Sequence, residues 1–553
     1  MLAFPHFEPA FARTDWVLHR VLEQQARDRG ALPFLQWEDA KPLSFDEVNR
    51  EVNRRAHGFA SLGVRRGDVV VLFMANSLDY VLTWFALNKI GAVEAPINTA
   101  YLGRFLEHQV NICDARMMVA DAALLQHVQG SIGKMPALKT LVVRGLAGSA
   151  APTVGDCRMV DFDTVRADDD ANPGVAVAPG DIAAIMFTSG TTGLSKGVLM
   201  PHGQLYLFAQ IDVEAVRLTA DDVYVTGLPF FHANSQLLTI YPCLIAGALC
   251  VLYEKFSATQ WVERLHASGA TVANSLGVML PFVFAQPPTP RDRGHRLRRM
   301  LSAPTPYGIL EDFKSRFGVE EFGEGFGQTE ICCPIMAPLG RGVERPQGAA
   351  GLLLDQWFDV RIVDPETDEE LPVGQVGELI LRPKMPWTIN AGYVNMPQET
   401  HRAWRNLWFH TGDGVKRDAQ GWYYFVDRLK DSLRRRGENI SSFEVEAPIR
   451  EHPAVAEVAV VAVPSEHEGG EDEVKACIVA HPGALADPAD IVAWCEGRLP
   501  AFAIPRYIEF LDSFPKTPSE KVQKSVLRSA GITAATWDRL KHSPQTPSKR
   551  KPA

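Results

Sequence analysis

Between Thr188 and Gly197 the chain reads TSGTTGLSKG, and eight of these ten residues are Gly, Ser or Thr. The apolar run IAAIMF at 182–187 leads straight into it, so a buried strand would deliver the segment to the end of a sheet. Glycines let backbone N–H groups approach a polyphosphate, hydroxyls add donors, and Lys196 supplies a point charge. A plain surface turn rarely needs so many donors behind an apolar strand, so the segment predicts anion binding. A Walker-type loop is excluded by spacing. It needs G-x-x-x-x-G-K-[ST], whereas Lys196 stands between Ser195 and Gly197, which removes both the second glycine and the magnesium-binding hydroxyl.

Regular elements must hold such a loop. From Asp68 to Asp121 the run VVVLFMA is followed by SLDYVLTWFALNKIG, read as an amphipathic helix, then by AVEAPIN, another helix-like segment and MMVAD. This alternation predicts strand-helix-strand units in a layered α/β domain. The rhythm recurs with strands expected at 222–228, 248–253 and 271–274. A helix is expected at 259–268, with Trp261, Val262 and Leu265 on one face. From Gly351 short alternating runs such as VRIVD and VGELILR, punctuated by Gly and Pro, predict a β-rich subdomain. After Asp427 the pieces SSFEVEAPIREH, VAEVAVVAV and VKACIVA predict a small α+β domain. The expected division is a large domain at 1–427, a hinge at 428–430, a small mobile domain at 431–535 and a disordered polar tail at 536–553.

With 553 residues the chain can hold several compact units, and 46% apolar against 22% charged residues is the balance of a soluble globular protein. The 66 acidic and 56 basic residues leave a net charge of -10, so no global positive field exists to hold a nucleic-acid backbone. None of the eight cysteines forms the C-x-x-C spacing of a zinc or dithiol site. Reduced cytosolic thiols are expected, with Cys332 and Cys333 as buried packing. Apolar stretches such as 69–75 and 244–253 fall short of the roughly 18–20 residues needed to span a bilayer. The N-terminal MLAFPHFEPAFARTDW breaks a secretory core with Pro5 and early charges. A soluble, cytoplasmic protein without nucleic-acid partners is therefore expected, its oligomeric state open and a homodimer among the options.

The TSGTTGLSKG segment resembles the signature of adenylate-forming enzymes, the superfamily of acyl-CoA synthetases, peptide-synthetase adenylation domains and firefly luciferase. The resemblance continues in order from about residue 15 to about residue 530. It implies ATP as substrate, with Thr188, Ser189, Gly190, Thr191, Thr192, Gly193 and Lys196 around its phosphates. EGFGQTE, 324–330, matches the aromatic-Gly-x-Thr-Glu motif. That match implies Gly325, Phe326, Gly327 and Gln328 beside adenine, with the Phe326 ring as a stacking face. It also implies the Thr329 hydroxyl at the α-phosphate, and Glu330 with Thr188 as hard oxygen ligands of Mg²⁺. SAPTP from Ser302 resembles the strand end lining the adenine and acyl pockets, and it nominates Ala303 and Pro304.

Further along, WFHTGD is similar to the block whose aspartate, here Asp413, accepts hydrogen bonds from the ribose diol. Arg428 of DRLKD is implied at the same ribose, and Lys430 at a hinge. RRRGENISSFEVE resembles the segment that meets coenzyme A, with Gly437 beside the pantetheine arm and Arg436 near its phosphates. PKTPSEKVQK aligns Lys521 with the lysine catalytic for adenylation. Lys516 and Lys524 compete for that role, and Glu520 stands where the family more often has Gly. PFFHANSQ resembles the block closing the acyl tunnel, with His232 as an aromatic gate.

The resemblance therefore implies a carboxylic acid–CoA ligase, similar in texture to carnitine/crotonobetaine and fatty-acid ligases. A carboxylate oxygen is a poor leaving group, so ATP would first yield acyl-AMP and pyrophosphate, and the CoA thiol would then displace AMP. Loading of a carrier protein is one alternative. A non-catalytic nucleotide- or acyl-binding protein is the other. The acid itself is not legible, because apolar pockets separate neighbouring chain lengths by only about 1–3 kcal/mol per methylene.

Overall fold

The computed structural model describes residues 2–146, 154–188, 195–428, 433–435, 438–440, 442–464, 472–496, 498–499, 503–516 and 521–542. The chain forms two compact units. The first comprises 1–361, 380–410 and 417–424, and the second comprises 362–379, 411–416 and 425–553. The second unit is thus discontinuous in sequence, unlike the single division expected at 427.

After an N-terminal helix, Leu18–Arg29, the first unit has short strands β1 (Pro33–Trp37) and β2 (Leu43–Ser44) and helix α1 (Phe45–Ser61). Ser44 caps α1 reciprocally with Glu47: the Glu47 amide donates to Ser44 Oγ at 3.2 Å and the Ser44 amide to Glu47 Oε2 at 2.8 Å. Such a capping box fixes where the helix begins and contributes about 1 kcal/mol. The strand-helix alternation then appears as β3 (Val69–Phe73), helix α2 (Leu78–Lys89), β4 (Val93–Pro96), helix α3 (Arg104–Ile112), β5 (Met117–Asp121), β6 (Thr140–Arg144) and β7 (Arg158–Asp161). Strands β8 (Ile182–Thr188) and β9 (Lys196–Pro201) complete a seven-stranded sheet of order β7-β6-β5-β3-β4-β8-β9. Its neighbouring strands pair in parallel except β8 and β9, which form an antiparallel pair.

Helix α2 differs from the amphipathic expectation. Every residue from Tyr80 to Lys89 is buried, so the helix lies inside the unit rather than on its surface. Asn88 and Lys89 find polar partners there, while Thr83 Oγ1 and Trp84 Nε1 are buried without one. Asn88 Nδ2 donates to the Ala183 carbonyl at 2.9 Å, and Lys89 Nζ donates to Asn49 Oδ1 at 2.6 Å and pairs with Glu23 at 3.3 Å. Burial pushes the Lys89 ammonium down to about 8, against the opposing pull of Glu23.

Helix α4 (His202–Ala215) follows β9 directly and is almost wholly buried. The second seven-stranded sheet uses β10 (Val223–Thr226), β11 (Leu249–Leu252), β12 (Val272–Leu276), β13 (Arg299–Ala303) and β14 (Glu321–Gly323), in the order β14-β13-β12-β10-β11-β1-β2. Strands β10 and β11 fall within the stretches expected from sequence and β12 runs two residues past its own, whereas β13 and β14 were not among the expected strands. The helix expected at 259–268 forms over Trp261–Ser268, with Trp261 and Leu265 buried. Strands β15 (Gly325–Gln328), β16 (Cys332–Met336) and β17 (Gly351–Leu353) then pair antiparallel in succession, and β17 pairs with Trp422–Tyr423. Helix α5 (Pro397–Ala403) lies near the end of this unit's sequence.

In the second unit, strands Val455–Val463, Glu473–Ala480, Tyr507–Phe510 and Trp537–Asp538 form one sheet in that order. Ordered chain therefore continues past 536, where the disordered tail was expected to begin. Trp537 pairs with Ile508, and Asp538 receives Arg506 at 3.1 Å, which ties this last strand to the sheet. Among the described residues no helix is long and apolar enough to cross a membrane.

Candidate active site

The donor-rich segment is the tip of the β8–β9 hairpin. Thr188 is paired with Lys196, Phe187 with Gly197 and Met186 with Val198, so both ends of the tip are anchored by ladder hydrogen bonds. This geometry also explains why the Walker spacing fails, because an antiparallel strand and not a helix follows the loop. Ser189, Gly190, Thr191, Thr192 and Gly193 lie outside the described residues. Helix α3 braces the far side of the tip: the Ser195 carbonyl lies 2.8 Å from His108 Nε2, and Gln109 Nε2 donates to Ser195 Oγ at 2.8 Å.

Segment 390–394 runs along β9 and brings a second set of side chains to the tip. The Ala391 amide donates to the Leu199 carbonyl at 2.8 Å, the Leu199 amide to the Gly392 carbonyl at 2.9 Å and the Val394 amide to the Gly197 carbonyl at 2.8 Å. Tyr393 is thereby aimed at Glu330, and its hydroxyl donates to Glu330 Oε1 at 3.1 Å. The Thr188 hydroxyl donates to the same oxygen at 3.4 Å. Lys196 Nζ lies 4.9 Å over the Tyr393 ring and 2.7 Å from Glu399 Oε2 on α5. Thr188 and Lys196 from one motif and Glu330 from another thus belong to one cluster with Tyr393 and Glu399.

The Glu330 carbonyl accepts from the Asn390 amide and from Asn390 Nδ2, both at 2.9 Å, and the Thr329 carbonyl accepts from Gln204 Nε2 at 2.8 Å. The backbone of the motif is therefore held from both sides while the Thr329 side chain stays half-buried. Upstream, Phe326 is buried at 7% exposure on β15. Gly327 is required by close approach, since a Cβ there would meet Cys333 Sγ at 2.7 Å as well as the Cys332 carbonyl. Gly325 and Gln328 flank them on the same strand.

Ala303 and Pro304 stand exposed at the end of β13. A buried ion pair positions that strand end relative to the motif. Arg345 Nη1 donates to Glu324 Oε2 at 2.7 Å, Arg345 Nη2 to Thr305 Oγ1 at 3.0 Å, and the Thr305 amide to Glu324 Oε2 at 3.2 Å.

His232 stands at the residue before the helical turn Ala233–Ser235, half-buried and without a side-chain capping bond, with its ring 4.5 Å from that of Phe231. The loop before it is clamped from α2 and the turn preceding α2. Asn76 Nδ2 donates to the Leu228 carbonyl and the Phe230 amide donates to Asn76 Oδ1, both at 2.8 Å. Gln236 Nε2 donates to the Phe230 carbonyl at 2.9 Å and approaches Glu94 Oε2 at 3.4 Å. Burial pushes the Glu94 carboxyl well above the usual carboxylate range, against the opposing hydrogen bond from Gln236.

In the second unit Asp413 is buried, its amide donating to Thr411 Oγ1 at 3.1 Å. Arg428 closes strand Trp422–Arg428. Lys430, Arg436 and Gly437 lie outside the described residues. The three competing lysines have different surroundings. Lys516 pairs with Glu457 at 2.8 Å, and Lys524 pairs with Glu446 at 2.8 Å and donates to Ser442 Oγ. Lys521 is exposed.

Sequence reasoning missed Tyr393, Glu399, Asn390, Arg345, Asn76 and Gln204. Only the Gly392–Tyr393 pair hinted at an irregular segment. That 390–394 adds itself to β9 is a tertiary event with no local pattern.

Comparison with known proteins gives concordant findings. Residues 22–393 match the family described as AMP-binding enzyme, and 444–521 match its C-terminal domain. The chain is 30% identical over 508 residues to a crotonobetaine/carnitine–CoA ligase of Salmonella enteritidis, covering 91% of this chain and 96% of the relative. A Proteus mirabilis protein of the same name is 30% identical over 498 residues, covering 88% and 93%. Among solved structures, the anthranilate CoA ligase AuaEII with anthranoyl-AMP superposes with a TM-score of 0.82 at 26% identity, covering 95% of this chain and 99% of the other. ATP-bound MatB from Rhodopseudomonas palustris gives 0.81 at 27%, covering 93% and 99%.

Proposed function

The chain belongs to the AMP-binding enzyme family, and from that premise we propose that it is an ATP-dependent, AMP-forming carboxylic acid–CoA ligase. The observation that carries the reading is the meeting of Thr188, Lys196 and Glu330 at one hairpin tip. The tip amides, the hydroxyls and Lys196 bind and orient the β- and γ-phosphates. Thr188 and Glu330 offer hard oxygens 3.4 Å apart, a donor set that fits Mg²⁺. When bound there, Mg²⁺ neutralises phosphate charge.

Phe326 and the Ala303–Pro304 strand end are assigned to adenine, and Thr329 to the α-phosphate. Asp413 and Arg428 are assigned to the ribose. Lys521 stabilises the charge that develops as the carboxylate oxygen attacks the α-phosphorus in line. Pyrophosphate leaves, and the acyl-AMP carbonyl is then attacked by the CoA thiol, with Gly437 lining the pantetheine path and Arg436 near the CoA phosphates. His232 is assigned to the acyl gate and Lys430 to the hinge that alternates the two half-reactions. The hinge at 428–430 between the large and the small domain is proposed with them. All eight cysteines are free and buried, which supports the proposal of a reducing, cytoplasmic location.

The test uses the purified chain with ATP, Mg²⁺ and a panel of carboxylic acids, with and without CoA. Acid-dependent pyrophosphate release with AMP release that rises on adding CoA is the expected result. AMP release that ignores CoA for every productive acid would refute the CoA acceptor and favour a carrier protein.

A further inference from the structure

Lys196 is already matched to an anion of the chain itself. Its Nζ lies 2.7 Å from Glu399 Oε2, and the other carboxylate oxygen, Oε1, receives Arg402 Nη1 at 2.7 Å. The Lys196 and Glu399 side chains are 28% and 24% exposed, while Arg402 is 73% exposed. One carboxylate therefore sits between two cations, one at the hairpin tip and one in solvent. The same Lys196 ammonium lies over Tyr393, whose hydroxyl is bonded to Glu330. Chemically, Glu399 gives Lys196 what a phosphate would: an anionic oxygen at hydrogen-bond distance.

We propose that Glu399 is a positioning residue that acts through Lys196 as an internal substitute for the polyphosphate. It holds the lysine at the tip while no nucleotide is bound. It yields the lysine to the phosphates of ATP, its own charge then compensated by Arg402, and takes it back as pyrophosphate leaves. The inference rests on the reading of Lys196 as a phosphate-binding lysine and adds the control of that contact. Two physical features make the exchange reversible. A multiply charged polyphosphate outbids one carboxylate for the ammonium. A partly exposed ion pair is also weak, so little is lost when it opens. A lysine held in place beforehand also has less side-chain freedom to lose on binding.

The test measures binding of inorganic pyrophosphate by calorimetry, and the KM for ATP in acid-dependent turnover, on full-length variants whose thermal midpoints are recorded. Glu399→Gln frees Lys196, so pyrophosphate affinity rises and the ATP KM falls, each about two- to fivefold, as expected for a pair of this exposure. The difference shrinks as ionic strength increases. Arg402→Ala removes a competing cation from Glu399, so it weakens both in the wild-type background and has no effect in the Glu399→Gln background. A carboxylate that only braced the fold would give the opposite sign, with Glu399→Gln weakening both at every ionic strength. That result, or no change, overturns the inference alone when Lys196→Ala still weakens pyrophosphate and ATP. Lys196→Ala without effect on either overturns the phosphate reading of Lys196 and the inference with it.

Discussion

Three lysines of one short segment show how environment sorts equivalent residues. Lys516 and Lys524 are held by Glu457 and Glu446, and Lys524 also reaches Ser442, whose hydroxyl donates to Asp427 at 2.5 Å. Lys524 is thereby part of the second unit's own scaffold, whereas Lys521 is exposed. The division of labour predicts different outcomes for the two. Lys521→Ala slows acid-dependent ATP–pyrophosphate exchange by about 10²–10³-fold, the cost of losing one transition-state charge contact. CoA capture of supplied acyl-AMP is expected to survive better. Lys524→Ala instead lowers the unfolding midpoint, because it removes the nearer of two cations from the buried Glu446 carboxylate, Arg450 remaining at 3.6 Å. Measuring both half-reactions and thermal unfolding on the two variants checks the assignment, and equal loss in both half-reactions for Lys521→Ala contradicts it. From sequence, the lysines differed only through alignment with a motif, since spacing says nothing about which acid lies opposite.

At the scale of elements, the binding residues depend on contacts made far away in the chain. Asn76, before α2, fixes the Leu228–Phe230 backbone that leads to His232. Asn76→Ala leaves a buried amide and a buried carbonyl less satisfied, which costs about 1–3 kcal/mol. If His232 gates the acyl path, the KM for the acid should move more than the KM for ATP. Denaturant unfolding and the two KM values test this, and equal movement of both argues against a gate.

The strands and the hairpin tip were legible because their signals are local: apolar runs, Gly/Ser/Thr density and turn residues. The set Tyr393, Asn390 and Glu399 was not legible, because 390–394 reaches the tip by pairing with β9 across about 190 residues of chain. Helix α2 misled for a related reason. Its polar residues suggested a wet face, but Asn88 and Lys89 are buried and bonded to Ala183, Asn49 and Glu23.

At the scale of the whole molecule, buried titratable groups make stability depend on pH in two opposed ways. Burial pushes His202 down to about 4 and His19 to about 3, with neighbouring positive charge adding to the shift and Asp181 opposing it at His202. The unfolded chain takes up these protons first, so their contribution is full above about pH 6.5 and is lost as pH falls toward 4 and 3. Burial raises Glu94 and Asp212 well above the carboxylate range. For them the unfolded chain ionises first, so stability is lost as pH rises above about 4.5, until the folded group itself ionises. Each group contributes a slope of at most about 1.4 kcal/mol per pH unit. Glu94→Gln mimics the neutral acid and should gain stability relative to the wild type as pH rises from 5 to 8. His202→Asn should lessen the loss below pH 6. Urea unfolding at pH 5, 6, 7 and 8 separates the two, and a Glu94→Gln difference that stays flat with pH refutes the upward shift of Glu94.

Because all eight thiols are buried, with Cys477 and Cys495 in the second unit and the other six in the first, the native fold screens its sulfurs from maleimides and other alkylating reagents. A cysteine engineered at an exposed position would be the fastest labelling point, suited to a fluorophore or spin label without first stripping the natural ones. The order in which the native thiols become modified under denaturant would record which unit opens first.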